Sequence, residues 1–310
     1  MKFYAWAAVA ALFVLIAAAI GYYVDPMASL HTAQALPPDL PVAHAGMAME
    51  IIGGYVTAPS TTLTAWTLAA GNSLQIRNCD MTKMVRLLQM WGDWQTAGYL
   101  GVRSPKLHDN VRGIRYKGTA SDCVPLLPFG REQRLYPQDV LTVEQSGSAT
   151  GGDIESGALL IHYEDLPGAN ARLVMPDVLQ KRGVNVVTVE DSLVTGTAGG
   201  WSGQEAINVE TDLLKANTDY ALIGYTVDTE CCAVRWQGVD TANMGVGGPG
   251  NETLRHVTAD WFRRLSLAYN LPCIPVFNSA NKGAILLDAL QDENGADPIV
   301  NSIFIELAPS

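Results

Sequence analysis

The chain has 310 residues and a formal net charge of −11, from 20 Lys and Arg against 31 Asp and Glu. That balance argues against a protein that coats nucleic acid, which needs a Lys/Arg footprint, and the basic residues are scattered with short pairs at Lys181-Arg182 and Arg263-Arg264. The five cysteines (Cys79, Cys123, Cys231, Cys232 and Cys273) contain no CxxC and fit neither a disulfide scaffold nor a zinc site, so buried free thiols are expected.

In chain order, the first element is Phe3–Val24, an uncharged apolar run. As a helix it would be about 33 Å long, enough for a bilayer core of about 30 Å. Phe3, Tyr4 and Trp6 at one end and Tyr22 and Tyr23 at the other suit the two headgroup interfaces. Phe13, Leu15 and Val24 add to the apolar stretch, and these eight residues are the expected membrane anchor. A cleaved signal peptide has a shorter apolar core with a small-residue cleavage site soon after it, whereas the tidy A-x-A here is the late Ala43-His44-Ala45. A buried core helix is the remaining alternative. Residues 26–50, with Pro26, Pro37, Pro38 and Pro41, read as an extended tether.

The body reads as all-β with a few short helices. Thr62–Leu68 and Ser73–Arg77 alternate as half-buried strands do, and Gly113–Lys117, Asp139–Gln145, Ala158–Tyr163 and Val184–Glu190 follow. Tyr220–Val227, Ala233–Gln237, Ile274–Phe277, Ala284–Leu287 and Ser302–Leu307 complete the set. Two stretches have helical spacing. Thr82–Trp94 places Met84, Leu87, Leu88 and Trp91 on one face, and Thr253–Tyr269 places Val257, Trp261, Leu265 and Ala268 on one face. Each predicted helix follows strands and precedes an extended segment, and each half closes on an apolar strand, ALLIHY or SIFIEL. The pattern suggests sandwiches or barrels built twice, with halves at 51–168 and 169–310.

Chemistry is harder to find. Gly200-Trp201-Ser202-Gly203-Gln204 lacks the last glycine of a nucleophile elbow. The histidines are isolated, and His108-Asp109 reads as a polar turn rather than a base and its orienter. Gly245–Gly250 satisfies GxGxxG, but it holds a proline in a strand-rich region and reads as a loop needing positive φ. Asp292, Asn294 and Asp297 offer hard oxygens around a glycine turn and are calcium candidates, with a solvated turn as the simpler account. The tryptophans read mainly as core. No catalytic constellation and no cofactor are expected.

Tyr220–Gly250 (YALIGYTVDTECCAVRWQGVDTANMGVGGPG), the helix carrying Asp260-Trp261-Phe262, IPVFNSANKGAILLDALQDENGAD and SIFIEL together resemble phage structural proteins. SPKLHDNVRGI and VEQSGSATGGDIESGALLIHYEDLP add to this. The resemblance is to the double jelly-roll major capsid proteins of tailless icosahedral phages with an internal membrane. It implies two tandem antiparallel jelly-roll β-barrels, homotrimers that contact neighbouring capsid subunits, no catalytic residues, and a virion location over a membrane reached through residues 3–24. A full transmembrane span is not general in the major subunits of that family, so a minor, membrane-attached capsid component stays open. The reading from a different class is a membrane-tethered extracytoplasmic β-sandwich that binds carbohydrate or peptide.

Overall fold

The computed structural model describes residues 46–309 apart from 59, 108–109, 120–131, 194–195, 208–213, 230 and 292–296. All of them belong to the unit Pro41–Ser310. The expected anchor helix and most of the tether lie outside the described residues.

The described chain is mostly β, in four sheets whose strands pair antiparallel throughout. In the first half the strands are β1 (Ala48–Thr57), β2 (Thr64–Ala65), β3 (Thr67–Leu68), β4 (Val85–Asp93), β5 (Gly98–Arg103), β6 (Ile114–Gly118), β7 (Gln133–Leu135), β8 (Thr142–Ser146) and β9 (Ile154–Tyr163). They form one sheet in the order β3-β1-β9-β4-β7 and another in the order β2-β8-β5-β6. In the second half they are β10 (Leu173–Val174), β11 (Gly183–Ser192), β12 (Glu205–Ala206), β13 (Asp219–Val227), β14 (Cys231–Gln237), β15 (Val246–Gly250), β16 (Ile274–Asn278), β17 (Leu286–Leu290) and β18 (Ile299–Leu307). Their sheets run β10-β16-β13-β18-β11 and β12-β17-β14-β15. With the short strands β3 and β10 set aside, each half holds eight strands, and their order is the same in both. Numbered within its half, the first strand pairs with the eighth, the second with the seventh, the third with the sixth and the fourth with the fifth.

Two expectations are corrected here. Thr82–Trp94 is not a helix: β4 occupies Val85–Asp93, and every one of its residues is buried. A strand covered on both faces carries apolar side chains at consecutive positions instead of alternating, and such a run mimics helical spacing. Nor is Gly245–Gly250 a loop with positive φ, because Val246–Gly250 is β15 and its glycines have none. A Cβ on Gly248 would run into the Trp261 and Tyr225 side chains, and one on Gly247 into the Val234 carbonyl. Bare backbone is what lets this strand approach its neighbours.

Smaller shifts follow the same logic. Ser73–Arg77 contributes a single bridge, Gln75 to Val140, rather than a strand. Residues 48–50, expected in the tether, begin β1. The helical stretch near the C-terminus is broken into a 3-10 turn at Glu252–Leu254, α2 (Arg255–Thr258) and α3 (Trp261–Tyr269). The Asn251 side chain caps the start by accepting from the Thr253 N–H at 2.7 Å. Asn270 ends α3 in the left-handed conformation, at φ 53°. One helix escaped prediction, α1 (Pro176–Arg182), which opens on a proline in its first turn.

Each half has its own core. In the first, Gln145 on β8 accepts from the Trp66 indole at 2.8 Å and donates to the Ser156 carbonyl at 2.9 Å, tying one sheet to the other. Trp94 lies where Cβ atoms on Gly92, Gly98 or Gly118 would collide with it, and its edge meets Tyr116 at 5.5 Å. In the second, β16 pairs with β13 only over Asp219–Ala221, and α2 and α3 pack along the rest of β13. From there Phe262 reaches Tyr225 and Trp236, whose centroids are 4.9 Å apart. The Trp236 indole donates to Ser302 on β18 at 3.0 Å, and the Tyr225 hydroxyl donates to the Pro249 carbonyl at 2.7 Å.

Candidate interaction surfaces

Two surfaces could carry a function: the junction where the halves meet, and the free edge of the second half. The junction forms because β1, β9 and β4 are too apolar on both faces to leave one in water. Their outer face meets β14, β15 and α3. The contact is hydrogen-bonded as well as apolar. Trp91 is fully buried, donates to the Cys232 carbonyl at 2.8 Å, and meets Trp261 edge to face at 6.4 Å. Tyr269 accepts from the Gln89 amide at 2.8 Å and donates to the Leu88 carbonyl at 2.6 Å. Ile51 donates its N–H to the Gly245 carbonyl at 2.8 Å.

Charged groups are embedded in this junction. Arg235 on β14 pairs with Asp288 on β17 at 2.8 Å, and its guanidinium lies 3.8 Å over the Trp201 ring. Asp288 also accepts from the Ser202 hydroxyl at 2.9 Å and the Gly203 N–H at 3.1 Å. One face of Trp201 is therefore taken by an arginine, and its far edge lies against Gly53. His162 on β9 is fully buried, and that burial lowers its pKa to about 4. The Arg86 charge adds to the shift, while the Pro272 carbonyl and Glu164 oppose it. It stays neutral at physiological pH. Burial likewise pushes the Cys273 thiol far above its ordinary range, which makes it a poor nucleophile.

The second surface is the outer edge of β11, which pairs with β18 from Gly183↔Leu307 to Ser192↔Ile299. No further strand pairs with it among the described residues, so the outward-pointing half of its backbone groups has no ladder partner there, although the Gly183 N–H is taken by the Leu179 carbonyl. Val184 and Val186 are 56% and 67% exposed, and Ile303 and Ile305 continue the apolar strip half-buried on β18. Before the strand, Lys181 pairs with Asp177 at 2.8 Å and Arg182 donates to the Ala308 carbonyl; near its end Glu190 is exposed and Asp191 is buried.

The sequence-predicted site residues fall elsewhere. Phe3, Tyr4, Trp6, Phe13, Leu15, Tyr22, Tyr23 and Val24 lie outside the described residues, as do Asp292, Asn294, His108 and Asp109. Asp297 is exposed ahead of β18. Among the described residues no group of three or more His, Cys, Asp or Glu is placed to hold a metal, and no helix is long and apolar enough to cross a membrane. Cys79, Cys231, Cys232 and Cys273 are buried free thiols. The open edge was half visible in sequence. Val184–Glu190 reads as a strand, but which strand ends up outermost depends on pairings far along the chain.

No family model matches the chain, and no curated protein matches it. Among solved structures it is similar to the PBSX exported protein XepA, at 10% identity over 87% of this chain and 89% of that one, with a TM-score of 0.24. A structure of Sulfolobus turreted icosahedral virus matches at 9% identity over 86% and 91%, with a TM-score of 0.23. PNGase F, a glycosylasparaginase from Flavobacterium meningosepticum, matches at 12% identity over 83% and 96%, with a TM-score of 0.20. These scores are too low to transfer a fold or a function.

Proposed function

We propose that the chain is a structural building block of a virion shell, made of two jelly rolls and tied to an underlying membrane by Phe3–Val24. The observation that carries this reading is the strand order. Pairing of strands 1–8, 2–7, 3–6 and 4–5 is that of one long hairpin, and folding it over into two four-stranded sheets makes a jelly roll. Each half has that pairing, so the chain reads as the same eight-strand roll twice. The buried junction joins the two rolls in one compact unit, which is what a tile needs if many weak contacts are to add up across a shell. The role is structural rather than catalytic, and trimers whose six rolls tile a surface are its natural assembly.

Vesicles bearing the full chain test this directly. Electron microscopy should show ordered, contiguous arrays on the lipid; scattered single particles at saturating coverage would count against a shell protein. Removing residues 1–24 should release the folded body from vesicles in a flotation assay. Loss of folding on removal would mean that the segment belongs to the core.

A further inference from the structure

We propose that the junction is an acid-operated latch, in which protonation of His162 beside Arg86 parts the two halves while each stays folded; the latch does not depend on the shell reading. Its geometry begins with the face of β9 that meets the second half. Alternate residues of a strand point the same way, so Ser156, Ala158, Leu160 and His162 share that face. Ser156 donates to the Gln291 carbonyl at 3.4 Å. Trp91 and Gln89, opposite Ala158 and Leu160, reach Cys232 and Tyr269. His162 continues the row, directly opposite Arg86 on β4 and Met49 on β1. A protonated imidazole there sets two cations side by side in a buried contact, and like charges directly opposed across a ladder are destabilising.

The groups around the ring do not offset that pairing. His162 is fully buried and Arg86 nearly so. Neither imidazole nitrogen completes a hydrogen bond, and nor do the Arg86 Nε and Nη1. From the first half, Arg86 meets Glu132 at 3.6 Å and Glu164 at 3.5 Å, and Glu164 also accepts from the Met84 N–H at 2.8 Å. Both carboxylates are partly exposed, so water weakens their hold. From the second half, the Cys273 thiol neighbours Arg86, the Tyr269 hydroxyl bonds Gln89 further along β4, and the Pro272 carbonyl favours the protonated ring. Burial outweighs that carbonyl and keeps the enclosed ring neutral. Parting the halves returns the ring to water, where an imidazole takes up a proton near pH 6.5. The open form therefore binds the proton more tightly than the closed one, and acid draws the halves apart. At the far end of the row the buried Gln291 amide also completes no hydrogen bond, so polar groups without partners collect along the seam.

Amide hydrogen exchange in the full chain, held in detergent micelles, tests the latch, because the Ile51 N–H bonds the Gly245 carbonyl across the seam. With the ring titrating at about 4 when closed and about 6.5 when open, opening should grow about thirtyfold between pH 7.5 and pH 5. Protection at Ile51, corrected for the intrinsic pH dependence of exchange, should fall by that factor. It should also stand at least about tenfold below the protection of the amides paired between β13 and β18 inside the second half. Protection at Ile51 equal to theirs at every pH would mean that the halves part only by global unfolding, and would overturn the proposal. Protection at Ile51 that ignores pH would overturn it as well. His162→Gln should make Ile51 protection independent of pH over this range, and His162→Met serves the same purpose if the glutamine variant does not fold. A thirtyfold fall that survives the substitution places the trigger elsewhere and sinks the latch.

Discussion

Strands β1 and β11 hold the same place in the two halves, each first in its eight-strand order, yet their surroundings are opposite. β1 (AMEIIGGYVT) is buried along nearly its whole length, between the core of its own half and the face of β15, and β3 pairs along its outer edge at Gly54 and Tyr55. β11 (GVNVVTVEDS) is exposed over most of its length and has β18 as its one described strand partner. Duplicated architecture does not imply duplicated surfaces. The first half has turned its leading strand inward to join the second, and the second half has left its own leading strand at the outside of its sheet among the described residues.

The contrast can be broken at its buried side first. Trp91→Ala removes a fully buried ring, its bond to the Cys232 carbonyl and its contact with Trp261, and should cost about 3–5 kcal/mol in denaturant unfolding of the full chain in detergent. A loss below about 1 kcal/mol would mean that the junction does not hold the halves together. The next effect is a pH dependence. The unfolded chain takes up a proton on His162 near pH 6.5, while the native imidazole, with its pKa lowered to about 4, does not. Native stability should therefore fall as the pH drops from about 6.5 towards 4, by roughly 3 kcal/mol in total. Comparison with His162→Gln isolates the effect, because the variant should lose that part of the slope. Equal slopes would place the ionisation elsewhere.

Tyr269→Phe removes one hydroxyl that accepts from Gln89 and donates to Leu88, and should cost about 1–2 kcal/mol by the same measurement. At the exposed side, Val186→Lys should change monomer stability by less than about 0.5 kcal/mol, because the side chain is already in water. A large loss there would mean that β11 is covered.

The sequence made one kind of strand readable and hid another. β11, β13 and β18 alternate or carry long β-branched runs, so Val184–Glu190, Tyr220–Val227 and Ser302–Leu307 are recognisable as strands. β4 reads as a helix because VRLLQMWGD is apolar or buried at every position, which is the price of sitting between two packed faces. β15 (VGGPG) has almost no side chains to form a pattern and reads as a loop. β1 was hidden for the same reason as β4, since apolar residues and the glycine pair Gly53-Gly54 leave no alternation. The Trp91–Cys232 and Gln89–Tyr269 contacts join positions 141 and 180 residues apart, beyond what local spacing can reveal. The outermost place of β11 is likewise hidden, because it is set by pairing with β18 at the far end of the chain.

A unit of assembly should reveal itself most directly in the mass of the full chain in solution. Sedimentation equilibrium in detergent, over a wide concentration range, should give trimers or larger species that grow with concentration. A protein that stays monomeric throughout and saturates with one small ligand would contradict the account.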